Sequence, residues 1–167
     1  MWPPEGQDRV WTEIPDRLIA SSVIFPTGRA EAGEDGYRLS GRWPFCSGID
    51  RSDRVMLVGS VEGSGEKRIF MVPKAELEVF DIWEVSCLYG NGSKDYAADS
   101  VFVADPMTVA AADIQSSRTP GSAVNPKPLF NLPQAGLFRH IIAAPIIGMA
   151  EGAADDFTEA NRAATST

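Results

Sequence analysis

Histidine and cysteine are nearly absent from this chain, which has one histidine, His140, and two cysteines, Cys46 and Cys87, in 167 residues. Those three residues cannot close a four-ligand zinc site without carboxylate help, so no metal centre is expected. A lone histidine with no nucleophile elbow also leaves a Ser/His/Asp set without its parts. The two thiols are expected to stay reduced, as in a cytoplasmic protein. Basic clusters are missing as well. With 15 Lys and Arg against 23 Asp and Glu the formal charge is -8, which argues against nucleic acid or an anionic membrane as the main partner, because phosphate binding needs concentrated cations. The opening MWPPEGQDRVW lacks the basic start and apolar centre of a signal peptide. No uninterrupted run of about eighteen apolar residues marks a membrane helix.

What is present suits one globular domain, with or without an appendage, since 44% of residues are apolar and 23% charged. The chain is organised around residues 36–61, two strand-like segments joined through a Trp-Pro-Phe-Cys-Ser-Gly turn at 43–48. In the first segment Tyr37, Leu39 and Trp43 are separated by Arg38, Ser40 and Arg42, the pattern of a half-buried strand. The second, 55–61, is apolar almost throughout and reads as a buried strand.

Around that centre, residues 5–17 predict one short helix that Pro15 stops. Residues 18–25 are β-rich and end in a Pro-Thr-Gly turn. Glu34-Asp35-Gly36 predicts a hairpin turn into the central strand. Residues 62–66 form a glycine-rich tip and 68–73 a returning strand. Leu77, Val79 and Ile82 suggest a further sheet element over 77–85, and 96–103 supply a last strand after the YGNGSK loop at 89–94. Five or six short strands with turns every eight to twelve residues predict an antiparallel all-β unit, a sandwich or open barrel.

From 106 to 133 five prolines stand among Ser, Ala and Gln, an extended connector that makes contacts as it travels. Beyond it, apolar residues from Leu137 to Phe157 recur at helical spacing on more than one face. Such a helix needs close neighbours, so it docks onto another copy or the chain is a piece of something larger.

The corner at 43–48 has two readings. It is a packed sheet bend, or it is one wall of a ligand site, with Gly48 letting a flat ring approach the backbone and Ser47 able to donate and accept. The 89–93 loop looks phosphate-cradling in composition but has neither the Walker nor the GxGxxG spacing, so a plain tight turn suffices. Trp83, placed on a strand, is core or the lid of a site. His140 reads as a helix-surface or interface histidine.

Three stretches, GYRLSGRWPFCSGIDRSDRVMLVG, RIFMVP followed by DIWEVSCLYGNGS, and DSVFVADP, together resemble the middle β-domain of the acyl-CoA dehydrogenase superfamily. The Trp-x-Phe-x-Ser-Gly corner narrows the resemblance to the flavin-dependent monooxygenases, the oxygenase components of two-component systems such as 4-hydroxyphenylacetate 3-hydroxylase and dibenzothiophene monooxygenase. The resemblance implies a mainly β domain at 18–105, preceded by a remnant of an N-terminal helical domain at 1–17. A connector at 106–133 and the first helix of a C-terminal bundle at 134–167 would follow. It further implies a reduced flavin, FMN or FAD, delivered by a flavin reductase and reacting with oxygen to a C4a-hydroperoxide that oxygenates a small aromatic substrate, in a homo-oligomer that is a tetramer in the family. By position in the motif, Ser47 and Gly48 would meet the flavin N5 region, while Trp43 and Phe45 would shape the wall. Trp83 would pack by the ring or its ribityl side, Ser93 would lie near the phosphate, and Ser21 and Ser22 would face flavin and substrate. Catalytic residues are not assigned. Tyr89 stands where the family carries an arginine, and the helical parts that close the cavity are expected to lie outside this chain. Two rivals remain: a true acyl-CoA dehydrogenase using FAD, and a non-catalytic remnant.

Overall fold

A computed structural model describes residues 1–23 and 27–165. Helix α1 (Pro4–Trp11) has Pro4 in its first turn, where the missing N–H does no harm, and it ends four residues ahead of Pro15. Eight strands follow among the described residues: β1 (Ile19–Ser22), β2 (Gly28–Ala32), β3 (Gly36–Cys46), β4 (Arg54–Val61), β5 (Lys67–Pro73), β6 (Glu78–Phe80), β7 (Lys94–Ala104) and β8 (Thr108–Ala110). Helices α2 (Ala111–Gln115) and α3 (Gln134–Thr165) complete the chain. The sheet runs β6-β7-β3-β2-β4-β5-β8, with β1 also paired to β4. A mainly β body followed by a C-terminal helix therefore matches the sequence reading.

The pairing is mixed where a purely antiparallel unit was expected. Both β1 and β2 run parallel to β4, with Ile19–Ser22 against Arg54–Leu57 and Gly28–Ala30 against Gly59–Val61. They occupy successive halves of one edge of β4. Parallel pairing needs a crossover, and here β3 itself carries the chain back. The two halves of the central stretch consequently do not pair with each other, because β2 lies between β3 and β4. The Asp35-Gly36 turn does join β2 to β3, closed by the Gly33 N–H donating to the Gly36 carbonyl at 2.8 Å. The Pro-Thr-Gly turn falls partly outside the described residues.

Residues 43–46 belong to β3 and not to a turn. The strand is bent by irregularities between Leu39 and Gly41 and between Trp43 and Cys46 against β7, and the second aims Phe45 outward at φ 59°. Bulges reset the period of two, so the fully buried positions are Leu39, Trp43 and Cys46. Trp43 is the hub of the core: its indole N–H donates to the Val58 carbonyl at 2.7 Å, and its ring lies directly under Gly28.

Three further expectations shift. Only Glu78–Phe80 of the 77–85 stretch pairs, so Trp83 stands in a loop, and Val79 and Ile82 are exposed. The sheet does not end at Val103, because β8 adds to β5. The connector's first ten residues thus belong to the β body, and its remainder is short 3-10 turns that touch the N-terminus, where the Gly121 N–H donates to the Met1 carbonyl.

Helix α3 spans 32 residues with Pro145 inside it. It meets the body near α2, and Ile141, Ile146, Met149 and Phe157 stand exposed. Its stretch from Gly136 to Arg162 has a mean hydropathy of 1.2 over eighteen residues and is long enough to span a bilayer by length and composition. Arg139, His140 and Glu151 interrupt the apolar residues of this stretch without lowering its average much, so it holds no unbroken apolar run of that length.

Both cysteines are free, Cys46 buried and Cys87 exposed. Burial pushes the Cys46 thiol up to about 12, so it holds little thiolate near neutrality. Maleimide at pH 8 is expected to label one thiol in the native chain, Cys87, and both in denaturant. Two fast-reacting thiols under native conditions would contradict this packing of β3 against β7.

Candidate functional site

The corner at the end of β3 is held from below and open above. One local bond and one dihedral shape it: the Ser47 N–H donates back to the Phe45 carbonyl at 3.1 Å, and Gly48 follows at φ 75°. A Cβ at Gly48 would meet nothing within 4 Å, so this backbone is bare on its outer side. Ser52 ties the turn down by donating from its hydroxyl to the Gly48 carbonyl at 3.1 Å.

From the neighbouring strand, the loop before β7 comes up against the same turn, since Lys94 pairs with Cys46. Asn91 accepts the Ser93 N–H at 3.0 Å, and the Ser93 hydroxyl also lies 3.0 Å from Asn91 Oδ1. Ser93, only 1% exposed, sits 2.7 Å from the Ser47 hydroxyl. A Lys94 clamp secures this loop, its ammonium reaching Asp50 at 2.8 Å and Asp81 at 3.2 Å. The hydrogen bond from Lys94 holds the Asp50 carboxyl below its usual range, and the bond to Asp50 raises Lys94 in turn.

An aromatic edge stands beside the turn. Phe45 and Trp83 meet edge to face with centroids 6.0 Å apart, and the Trp83 indole N–H donates to the Leu88 carbonyl. On the third side Ser21 bridges Ser47 across the strands. Between these walls is a cavity of about 230 Å³ lined by Ser21, Ser22, Val23, Pro44, Phe45, Ser47 and Phe138. A larger cavity of about 430 Å³ adjoins it, since Ser21, Val23 and Phe138 line both.

The fold therefore brings together Ser21, Phe45, Ser47, Gly48, Trp83 and Ser93. It places two others differently from the sequence reading. Trp43 has no exposed surface and supports the corner from within instead of forming its wall. Ser22 reaches the cavity floor, but its hydroxyl donates to the Pro44 carbonyl at 2.5 Å. Ser47 and Ser93, assigned to opposite ends of one ligand, are hydrogen-bonded neighbours, so Ser93 serves as a prop under Ser47. His140 lies exposed on α3 with Nδ1 2.7 Å from the Gly136 carbonyl, in keeping with a helix-surface role. Among the described residues no three His, Cys, Asp or Glu gather as metal ligands.

Sequence reasoning missed Asn91 and Phe138. Asn91-Gly92-Ser93 has the spacing at which an Asn side chain bonds the backbone two residues on, a signal available in the loop. Phe138 comes from α3, and no local pattern announces which strand a distant helix will approach.

No protein-family model matches the chain. Comparison with curated proteins finds the oxygenase component of the FADH(2)-dependent resorcinol hydroxylase of Rhizobium sp. strain MTP-10005, 34% identical over 158 residues. That match takes in 92% of this chain and 38% of the relative. Among solved structures, the HsaA monooxygenase of M. tuberculosis superposes with a TM-score of 0.83 at 30% identity, over 90% of this chain and 40% of that one. The chain is a relative of the oxygenase components of flavin-dependent monooxygenases. It spans about two fifths of the length of the curated relatives it matches, and carries the corresponding part of the acyl-CoA dehydrogenase-like fold. A third relative, XiaF from Streptomyces sp., solved in complex with FADH2 and glycerol, superposes at a TM-score of 0.69 and 27% identity over 78% of this chain and 33% of that one. The share matched to HsaA is too large to leave all of α3 out. Part of α3 therefore superposes on that relative, and the helix's hydropathy does not by itself point to a membrane.

Proposed function

We propose that this chain forms one wall of the flavin site of a two-component, flavin-dependent monooxygenase whose whole protein oxygenates a small aromatic substrate. The observation that carries the reading is the open corner at 45–48. There the Phe45–Trp83 edge, the bare backbone of Gly48 and the exposed Ser47 lie next to one another, in a chain whose relatives include one named as FADH(2)-dependent. A flat heteroaromatic ring needs this combination, apolar contact on its face and polar contact at its edge.

In this arrangement Phe45 and Trp83 pack against the ring system and keep water from it, while Ser47 fixes its polar edge. Ser21, bridged to Ser47, faces the larger apolar cavity, where an aromatic substrate would lie beside the ring. Bound reduced flavin would supply the electrons and activate dioxygen. A separate flavin reductase would deliver it. FAD is favoured over FMN by the relatives' names and titles. The domain reading goes with this proposal: a β-domain from 18 onward that holds the site, extended by β8 and α2, with 134–167 as a bundle helix against which further helices pack.

Anaerobic titration of the chain with FADH2, followed by tryptophan fluorescence, tests the proposal. Saturable binding is expected, and removal of the aromatic edge in the Phe45→Ala, Trp83→Ala double variant is expected to weaken it roughly tenfold, the effect of losing one to two kcal/mol of aromatic contact. Binding untouched by the double variant would place the flavin elsewhere.

A further inference from the structure

The sheet face that carries Ser21 continues well past the corner. Ser21 pairs with Met56, Val58 with Ile69, and Ser60 with Lys67, and residues opposite one another across a ladder share a face. One row therefore runs along β4 from Ser21 at one end to Lys67 at the other, over a floor of Met56, Val58 and Ile69. Four residues of strand separate Met56 from Ser60, about 13 Å at the rise of an extended chain. Phe138 of α3 and Ile114 of α2 complete the apolar lining, and the space enclosed is the cavity of about 430 Å³. A cavity of roughly 150 Å³ suffices for a benzene ring, so this one has room for a ring and a chain of several atoms. Its far end is charged. Lys67 is the one charged side chain in the lining, and among the described residues it makes no ion pair. The neighbouring Glu66 is already taken by Arg68 at 2.8 Å. Gln115 and Gln134 add neutral amide donors to the same lining. In a chain with a formal charge of -8, an unpaired cation at the end of an apolar cavity leaves its counter-ion to the ligand.

We infer that this cavity takes an arylalkanoate, an aromatic ring lying over Val58 and Ile69 toward the Ser21 end with its carboxylate carried on a short chain to Lys67. This rests on the flavin reading above, which puts the substrate ring beside Ser21, and it adds which aromatic compounds that site admits. Apolar contact along the floor is common to any ring of the right width. The charge at the far end is what discriminates, since a neutral compound of the same shape gains the floor and nothing from Lys67. Lys67 is thus a specificity-determining residue that touches the tail of the ligand and stands well away from the corner. The device follows from the register of β4 with β1 and β5, which fixes how far apart the two ends of the ligand lie.

Calorimetric titration of the full chain with phenylbutyrate and with its neutral counterpart phenylbutanol is the test. The acid is expected to bind roughly tenfold more tightly than the alcohol, the effect of one charge-assisted contact. Lys67→Gln is expected to remove that advantage and leave the alcohol unchanged, a distinction between probes that a merely structural lysine would not produce. Ala111→Trp, which fills the cavity from the start of α2, is expected to weaken both probes. Far-UV circular dichroism and the melting curve check that each variant is folded. Equal affinity for acid and alcohol, an equal effect of Lys67→Gln on both, or binding untouched by Ala111→Trp would each overturn the inference, as would no uptake of either probe at millimolar concentration. The FADH2 titration separates the two readings. FADH2 uptake alongside any of those results overturns the arylalkanoate site alone, whereas Lys67-dependent binding of the acid in a chain that takes up no FADH2 overturns the flavin reading and leaves this site standing.

Discussion

Trp43→Ala is expected to lower the unfolding free energy of the chain by about 3–5 kcal/mol, the range for truncating a large, fully buried aromatic. The indole has no exposed surface. It fills the space under the meeting of β2, β3 and β4, and its N–H is matched to the Val58 carbonyl. Truncation removes the apolar burial and opens a cavity that three hydrogen-bonded strands cannot close around. Chemical denaturation followed by far-UV circular dichroism measures the change, and a loss under about 1 kcal/mol would show the ring to be peripheral. The site should suffer with the fold. Trp43 and Cys46 bracket the bulge that turns Phe45 outward at φ 59°, a conformation that costs of order 1–3 kcal/mol outside glycine and persists only where the surroundings impose it. With the hub gone, that imposed conformation relaxes and the edge-to-face pair with Trp83 goes with it.

This double duty explains why the corner had two readings in the sequence. Trp43, Phe45 and Ser47 stand at alternate positions, and a plain strand would aim all three to one side. The bulge separates them, sending Trp43 into the core and Phe45 and Ser47 to the rim. A bulge is set by backbone geometry against β7, fifty residues later, which no local pattern reports. The same limit hid the parallel pairing of β1 and β2 with β4. Alternation tells which residues share a face and is silent about which strand lies beside which. The Asp35-Gly36 hairpin and the α3 helix were legible because each is a local event, one of turn chemistry and the other of 3.6-residue spacing. Over 77–85 apolar spacing reached too far, since Val79 does lie on β6 but Ile82 stands beyond it in a loop, and both are exposed. Ser47 and Ser93 lie 46 residues apart, so their hydrogen bond had no sequence signal, although Asn91-Gly92-Ser93 announced its own half of it.

Gly28→Ala is expected to destabilise the chain by about 3 kcal/mol, at the upper end for overpacking a closed core. A methyl at this position would lie 2.2 Å from Trp43 Cζ2 and 3.1 Å from the Val58 carbonyl oxygen. Neither can give way easily. The indole is held by its hydrogen bond to that same carbonyl, and β2 cannot lift off because Gly28 pairs with Gly59 on one side while Gly41 crosses it closely on the other. Glycine is required here for space and not for its dihedral freedom. The atom in the way belongs to the six-membered ring of the indole, which a phenyl ring in its place would not reach. Trp43→Phe should therefore relieve the clash, and Gly28→Ala introduced into that background should cost at least about 1 kcal/mol less than in the native chain, a coupling of the size seen between residues in direct contact. Full additivity in this double-mutant cycle would mean that the strands and not the indole oppose the methyl. The strand crossing would then be the feature that fixes where the corner stands.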